Sequence, residues 1–402
     1  MSNPSGVRMS GPLAPFTVGF RAELERHGYR PNAVASQLQL MAHFSRWLAE
    51  RGLSVGDLTK ETAAEFLSDR RAAGYTLWLS PKALVPLGDH LELLGVLPPA
   101  EVPPRSPVEQ LLGNYRAYLT GERGLAASTA ENYAAHLRPF LVSRTIDEHV
   151  ELKDLTAADV RAFLLASRAN RSVGTAKLVV TTLRSFLGWC FREGLVSRSL
   201  EAAVPSVAGS RLAHLPIGLS APELARLLAA CDRRTTTGRR DFAIITALGR
   251  LGLRAGEVAA LGLEDLDWRA GELVVTGKGN RTERLPLPMD VGEAIAAYLR
   301  RGRPRTAAGR SVFVRVHAPH RRLSAGAITN LVHRAAMRAG LGKVSARTLR
   351  QSAATQMVRA GAALPEVGQV LRHRRLLTTA IYAKVDREGL RELSRPWPGG
   401  VA

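Results

Sequence analysis

The chain has 402 residues, enough for two or three domains with separate cores. Lys and Arg number 56 against 35 Asp and Glu, and the formal net charge of +21 favours a polyanionic partner such as nucleic acid. Codon bias in a GC-rich genome is the alternative source of the arginine excess. We expect no membrane span, signal peptide or disulfide framework, and therefore a reducing, cytoplasmic environment.

Two proline-rich breaks divide the chain, because proline fixes φ and removes a backbone donor. The first is the Pro-Pro-Ala-Glu-Val-Pro-Pro run at 98–104, and the second lies at about 204–218. The breaks predict a helical N-terminal domain at 12–98, a helical domain at 107–203, a larger domain at 219–385 and a C-terminal tail at 386–402.

The first two segments resemble each other. Both carry apolar residues at helical spacing, namely Leu40, Phe44, Trp47 and Leu48 in the first and Tyr133, Leu137, Phe140 and Leu141 in the second. An Asp-Leu-Thr phrase follows in each, and its threonine, Thr59 or Thr156, is predicted to cap a helix. A later helix closes at Gly95 or Gly194. We interpret this as duplication of one small helical domain, with chance likeness between amphipathic helices as the alternative.

The third segment has a mixed pattern. Helices are predicted near 221–232, 239–251, 255–263, 324–339, 347–360, 364–372 and 376–384. A β-hairpin is predicted from 272–275 and 283–287 with a glycine-bearing loop, followed by a short strand at 311–314. The arginine-rich runs 300–305 and 321–322 are expected to be solvated loops, with contact to phosphate as an equal alternative. The fold class is therefore mainly α with a small β-sheet.

The third segment also carries groups suited to breaking a phosphodiester, which needs a nucleophile, cations, an acid for the leaving oxygen and a proton acceptor. Arg254 precedes Glu257 by three residues, a spacing that also fits an ordinary surface ion pair. Lys278 lies between two glycines at the hairpin tip, where its ammonium can approach a ligand. Taken alone, it fits an ordinary solvated turn equally well.

Two further groups follow along the chain. Arg347 and Arg350 share one helix face, where their guanidinium groups repel each other unless an anion such as phosphate lies between them. His373 is followed nine residues later by Tyr382. Taken singly, the histidine fits a helix cap and the tyrosine fits a core aromatic residue.

The order of these residues resembles the tyrosine recombinase (phage integrase) family. The phrases Leu219–Leu224 and Thr378–Tyr382 are typical of its catalytic domain, and 107–203 resembles its helical, SAM-like core-binding domain. The resemblance implies a mixed α+β catalytic domain behind helical N-terminal domains. It also implies a mobile-element type of recombinase with an extra N-terminal domain, acting in DNA integration or transposition.

The resemblance implies a role for each catalytic candidate. Tyr382 would attack the scissile phosphorus and form a 3′-phosphotyrosyl bond. Arg254 and Arg350 would bind the non-bridging oxygens, and Lys278 would protonate the departing 5′ oxygen. His373 would hydrogen-bond the phosphate. No metal, ATP or other cofactor is implied, because the ester keeps the energy of the broken bond.

One position departs from the family pattern. Arg347 stands where the family usually has His or Lys, and a guanidinium stays protonated and cannot act as a general base. Arg347 can still stabilise charge as a third guanidinium. The proton then goes to His373 or water, or else the site is weakened and the chain is an accessory subunit beside a partner recombinase. A type IB topoisomerase-like activity is a further alternative. Glu257 occupies the place of an acid that steadies the pocket.

The resemblance also implies how DNA is held. A clamp around duplex DNA with an inverted-repeat core site is expected, with Arg138, Lys177, Arg184 and Arg281 as candidate DNA contacts. Four protomers would form a tetramer on the synapse, with a tail helix near 386–395 passed between protomers. A partner recombinase or an accessory DNA-bending protein is a further expected partner. The expected location is the bacterial cytoplasm with the nucleoid.

Overall fold

The structure is a computed structural model that describes residues 7–97, 106–168, 172–208, 218–277, 281–373 and 378–385. Lys278 and the tail at 386–402 lie outside the described residues. The chain divides into two compact units, one drawn from 1–99 with 214–402 and the other from 100–213. In the described part of the chain, no helix is both long and apolar enough to cross a bilayer.

The N-terminal part of the first unit is helical. Its helices are α1 (Thr17–Arg26), α2 (Pro31–Glu50), α3 (Lys60–Ala72) and α4 (Val85–Leu93). The apolar stripe of α2 is buried together with Phe20 and Phe66 in one hydrophobic core. The Thr59 hydroxyl accepts a hydrogen bond from the Thr62 N–H, so the predicted cap of α3 is present.

The second unit repeats this helical pattern with a different ending. It contains α5 (Pro107–Gly121), α6 (Ala127–Val142), α7 (Ala157–Arg168) and α8 (Val173–Arg192), with the two-residue strands β1 (Thr145–Ile146) and β2 (His149–Val150). Tyr115, Phe140 and Phe186 lie in its core. The Thr156 hydroxyl accepts from the Asp159 N–H at 3.3 Å, as predicted. However, α8 has 20 residues where α4 has 9, so the duplication stays a prediction.

The C-terminal part of the first unit contains most of the remaining helices. They are α9 (Ala221–Ala229), α10 (Thr236–Leu251), α11 (Ala255–Ala260), α12 (Met289–Arg301), α13 (Ala325–Arg338), α14 (Ala346–Arg359) and α15 (Leu364–Val370), followed by a 3-10 helix at Ala380–Val385. The buried helix α10 packs against α12, α13 and α14. Ile244, Leu248 and Leu349 are buried at these contacts.

A three-stranded antiparallel sheet lies beside these helices. Its strands are β3 (Leu266–Asp267), β4 (Glu272–Thr276) and β5 (Thr282–Pro286), in the order β3-β4-β5. The predicted hairpin is β4–β5, with Thr276 opposite Thr282. The apolar side chains of Leu273 and Val275 are buried on one face. The pair fixes where the loop that carries Lys278 begins and ends.

Three sequence predictions were wrong. The stretch 311–314 is not a strand, since Ser311 and Val314 each form only a single bridge, to Gly262 and Arg322. Arg300 and Arg301 were predicted to lie in a solvated loop, but they lie in the last turn of α12, a helix that was not predicted. There their charge complements the helix dipole. The helix predicted near 376–384 is a 3-10 helix where it is described, at Ala380–Val385.

The run 321–322 is also not simply a solvated loop. The Arg321 guanidinium donates to the Asp89 carboxylate at 3.2 Å, and both side chains stay more than half exposed. This ion pair joins the N-terminal helices to the C-terminal part within the first unit. Because both partners are exposed, it contributes little to stability.

Candidate active site

A glycine turn places Arg254 at the start of α11. Gly252 ends α10 with φ of +58°, a left-handed conformation that favours glycine. An added Cβ would lie 2.5 Å from the Leu371 side chain, so packing also requires glycine here. Arg254 then takes the N-cap position of α11, with its side chain about two-fifths exposed. The turn therefore places the partly exposed Arg254 guanidinium at the end of the buried helix α10.

Glu257 is the counter-charge at the centre of the site. Its Oε2 accepts from the Arg254 backbone N–H at 2.8 Å and from Arg372 Nη2 at 2.9 Å, while its Oε1 accepts from Arg254 Nη1. Burial alone would raise the pKa of Glu257, but these hydrogen bonds and the charges of Arg372 and Arg254 outweigh it and leave the pKa below its ordinary value. Glu257 is therefore a carboxylate shared by two arginines.

Arg350 ties two loops together from α14. Its Nη1 donates to the Gly252 carbonyl at 2.5 Å and its Nη2 donates to the Leu371 carbonyl. Burial, together with the charges of Arg254 and Arg372, lowers the pKa of Arg350 to about 10. The guanidinium therefore remains charged at neutral pH. It lies where the turn after α10 meets the turn after α15.

Arg372 is a member of the site that the sequence did not reveal. It follows α15 with φ of +57°, where glycine is usual, and an L residue in this conformation costs roughly 1–2 kcal/mol. Its side chain is only 4% exposed and donates to Glu257 and to the Val370 carbonyl. Its own carbonyl accepts from Arg254 Nη2 at 3.2 Å. The sequence feature that could have indicated Arg372 is a basic residue at a helix end, directly before His373.

His373 is held in a neutral state beside these arginines. Its Nδ1 lies 2.8 Å from the Thr379 hydroxyl, and its backbone N–H donates to the Gly368 carbonyl. Burial, followed by the charges of Arg350, Arg254 and Arg372, lowers the pKa of His373 to about 4. A neutral imidazole has one ring nitrogen whose lone pair can accept a proton, so the ring can act as a base.

Tyr382 lies in the 3-10 helix that follows, parallel to His373. The two ring centroids are 6.5 Å apart and the ring planes differ by 4°. The side chain is buried with Ala354, Val358 and Leu371. Burial raises the pKa of Tyr382, and the charges of Arg350 and Arg347 oppose that rise. The phenol is therefore protonated in the free protein.

The remaining catalytic candidates lie at the edge of this cluster. Arg347 is exposed on α14, one turn before Arg350, and is close enough to act on Tyr382 electrostatically. Lys278 lies outside the described residues. However, Gly277, which precedes it, lies beside Glu257, since a Cβ added there would be 3.6 Å from Oε1. The hairpin thus leaves the sheet next to the buried carboxylate.

The candidate DNA contacts have different surroundings. Arg138 donates to Glu109 at 2.7 Å, and Arg184 donates to the Val204 carbonyl at 2.7 Å. Lys177 is half-buried on α8, and Arg281 is exposed at the base of the β4–β5 loop. These contacts engage the Arg138 and Arg184 guanidinium groups within the second unit. Among the described residues, no group of three His, Cys, Asp or Glu side chains could hold a metal ion.

Comparison with known proteins identifies the family. Residues 218–388 match the model of the phage integrase family, and 112–194 match that of the phage integrase N-terminal SAM-like domain. The putative integrase/recombinase y4rA of Sinorhizobium fredii is 40% identical over 403 residues, covering 97% of this chain and 95% of the relative. The chain belongs to the phage integrase family of tyrosine recombinases. It is therefore an enzyme that cleaves and rejoins DNA in site-specific recombination, as predicted.

Other relatives and solved structures agree with this assignment. Tyrosine recombinase XerD of Corynebacterium glutamicum is 30% identical to this recombinase over 301 residues, covering 71% of the chain and 96% of that protein. A lambda integrase dimer bound to a COC′ core site matches with a TM-score of 0.53 at 19% identity, over 73% of this chain and 98% of that one. XerH bound to difH matches with a TM-score of 0.52 at 20% identity, over 82% and 93%. The predicted fold class is confirmed.

Proposed function

We propose that this recombinase exchanges DNA strands through Tyr382, with a 3′-phosphotyrosyl bond as the intermediate. The observation that carries the proposal is that Arg254, Arg350, His373 and Tyr382 lie in one cluster, in which the buried Glu257 holds Arg254. These residues come from four separate elements between 254 and 382. The guanidinium groups outnumber the carboxylate, so the pocket suits an anion, and a phosphodiester matches the guanidinium fork.

The proposed reaction balances without a cofactor. The Tyr382 oxygen forms a bond to phosphorus while the bond from phosphorus to the 5′ oxygen breaks. Arg254 and Arg350 stabilise the charge that develops on the non-bridging oxygens, an effect that is strong in a buried, preorganised site. Lys278 supplies the proton to the 5′ oxygen. The reverse reaction rejoins a strand, so neither ATP nor metal is needed.

The Tyr382 proton requires an acceptor other than Arg347. We propose His373 or a bound water, because His373 is neutral and its ring centroid lies 6.5 Å from that of the tyrosine. A phosphate bound among the arginines would offset part of their positive charge. Its negative charge would raise the pKa of His373 and make the imidazole a better base. Binding of the DNA phosphate therefore makes His373 a better proton acceptor.

We further propose duplex DNA with an inverted-repeat core site as the substrate and a tetramer of this chain as the active assembly. The structural neighbours support this, since they include a lambda integrase dimer on a COC′ core site and a lambda integrase tetramer on a Holliday junction. Passage of a tail helix from 386–402 between protomers and an accessory partner remain predictions. A DNA substrate also implies a cytoplasmic location with the nucleoid.

The division into a domain at 12–98, a core-binding domain at 107–203 and a catalytic domain at 219–385 is likewise a proposal. Its support is that hydrophobic residues of each stretch form separate buried clusters. The first and third stretches nevertheless belong to one compact unit.

The test begins with the Tyr382→Phe variant, which should bind DNA without cutting it. Sequencing the DNA that it retains identifies the core site. A duplex with that site and a nick beside the scissile bond is then mixed with wild-type protein. We expect a covalent protein–DNA adduct with the DNA on Tyr382, found by mass spectrometry. Tyr382→Phe should form none, while Tyr75→Phe, at an exposed tyrosine of the N-terminal helices, should react normally.

Two results would redirect the assignment. If wild-type protein binds the site but forms no adduct, it is an accessory DNA-binding subunit, the reading that Arg347 motivated. If it relaxes supercoiled plasmid that lacks the site as fast as plasmid that contains it, the activity is that of a type IB topoisomerase. If the DNA is found on a tyrosine other than Tyr382, the assignment of Tyr382 as the nucleophile is wrong.

A further inference from the structure

Arg372 combines two features that are each unfavourable for an arginine. It has a left-handed backbone, φ of +57°, and its side chain is almost fully buried. Glycine would adopt this backbone freely and asparagine with little strain, and a surface arginine would keep its charge in water. Its Nε is buried without a hydrogen-bond partner. The roles assigned to the catalytic candidates make no use of this residue.

The contacts of Arg372 converge on Arg254. The Arg254 guanidinium is fixed at two points, Nη1 on Glu257 Oε1 and Nη2 on the Arg372 carbonyl. Arg372 supplies the second point directly. It also holds the first, because its own Nη2 donates to Oε2 of Glu257 at 2.9 Å. The left-handed conformation sets the direction of both the carbonyl and the side chain.

The same charge acts on His373, the next residue. Cations surround this imidazole from three elements, namely Arg350 on α14, Arg254 at the start of α11 and Arg372 after α15. The Thr379 hydroxyl and the Tyr382 ring face it from the segment that follows. Arg372 therefore acts on both the phosphate-binding arginine and the candidate proton acceptor.

We propose that Arg372 is a positioning residue for strand cleavage, which fixes the Arg254 guanidinium through Glu257 and through its own carbonyl oxygen. This inference rests on the proposed function, since it assigns Arg254 to the scissile phosphate. Arg372 does not itself contact DNA in this role. Its removal changes how well the transition state is stabilised and leaves the bound duplex largely as before.

The test compares Arg372→Gly, Arg372→Lys and the control Arg359→Ala on the nicked substrate. Glycine suits the left-handed backbone, lysine keeps the charge, and Arg359→Ala removes one exposed charge from the same domain. We expect Arg372→Gly to bind DNA with nearly unchanged affinity but to form the adduct about 10²-fold more slowly, because misplacing a catalytic group by about 1 Å can cost that much. Arg372→Lys should recover part of that rate, and the control should match wild type.

A pH profile separates positioning from a merely structural role. Without the Arg372 charge, the pKa of His373 rises towards its ordinary value. Since the neutral imidazole is the reactive form, the acid limb of the adduct-rate profile should move to higher pH in Arg372→Gly. Loss of folded protein would lower the whole profile without moving it. Thermal unfolding of each variant, monitored in parallel, measures the folded fraction.

The outcomes distinguish this inference from the proposed function. If Arg372→Gly forms the adduct at the wild-type rate and with the wild-type pH profile, the inference is wrong and the proposed function stands. If Arg372→Gly is unfolded, Arg372→Lys decides: a folded lysine variant that forms the adduct at the full wild-type rate also overturns the inference. Absence of an adduct in wild-type protein refutes the proposed function, and the positioning role with it.

Discussion

Replacing Glu257 with glutamine tests whether the buried carboxylate holds the site together. Glu257→Gln keeps the shape of the side chain and removes its charge. The carboxylate accepts three hydrogen bonds, from the Arg254 backbone, the Arg254 guanidinium and the Arg372 guanidinium. A glutamine oxygen cannot serve all three, and its amide N–H₂ would face an arginine donor. Arg372 would be left buried without a counter-ion.

The magnitude follows from this geometry. Removing one partner of a buried ion pair costs about 3–5 kcal/mol. Burial by itself raises the pKa of Glu257 and so disfavours the charged carboxylate. We therefore take the lower end of this range, a loss of about 3 kcal/mol in unfolding free energy. For a domain of this size, that loss lowers Tm by roughly 6–12 °C. The effect therefore exceeds the usual scatter of surface substitutions.

Its pH dependence has a definite sign. The pKa of Glu257 is lower in the folded protein than in the unfolded chain. The stabilisation is therefore full above the unfolded glutamate pKa of about 4.3, and it is lost as the pH falls through the folded pKa. The difference in Tm between wild type and Glu257→Gln should be largest near neutral pH and should close in acid.

Calorimetry on the full chain from pH 7 downwards measures this difference. Glu272→Gln is the matched control, because Glu272 pairs with Arg284 at 3.1 Å on exposed strands and should contribute less than about 1 kcal/mol. If Glu257→Gln has the same Tm as the control Glu272→Gln, the reasoning is wrong. A difference in Tm that stays constant down to acid pH also contradicts it, since the charge would then not be its source.

Three further outcomes are expected. Arg347→Lys should change the single-turnover rate of adduct formation by less than tenfold if His373 or water already accepts the proton, whereas a gain approaching 10²-fold would show a site that lacks a base. Arg281→Gln should lower the slope of log binding constant against log salt by about one, as expected for an exposed phosphate contact. Arg184→Gln should instead destabilise the second unit with little change in slope, because its guanidinium already bonds the Val204 carbonyl.

Much of the helical fold followed from local rules. The caps at Thr59 and Thr156 and the glycine stops at Gly95 and Gly194 depend on a few neighbouring residues, and the structure contains all of them. The stretch 311–314 shows the limit of such rules. Val312, Phe313 and Val314 are all buried, but a short continuous apolar run does not distinguish a strand from a buried loop.

Helix α12 could have been predicted. Val291, Ile295 and Tyr298 follow helical spacing and are buried on one face. The arginine-rich run at its end instead led to the prediction of a solvated loop. In the site, the catalytic candidates were predicted because their order resembles that of the tyrosine recombinase family. The link between Glu257 and Arg372 was not predicted, because it spans 115 residues and depends on a left-handed turn that only the packed fold specifies.

The place of Arg347 changes how the missing base should be understood. Burial raises the pKa of Tyr382, while His373 has a pKa of about 4, so a proton does not pass between them in the free protein. The proton must leave as the bond from oxygen to phosphorus forms, when the phenol becomes acidic and the phosphate has raised the pKa of His373. Arg347 opposes the rise in the pKa of Tyr382 by its charge. A residue that cannot accept the proton can therefore still help its release, by stabilising the negative charge that the tyrosine oxygen acquires.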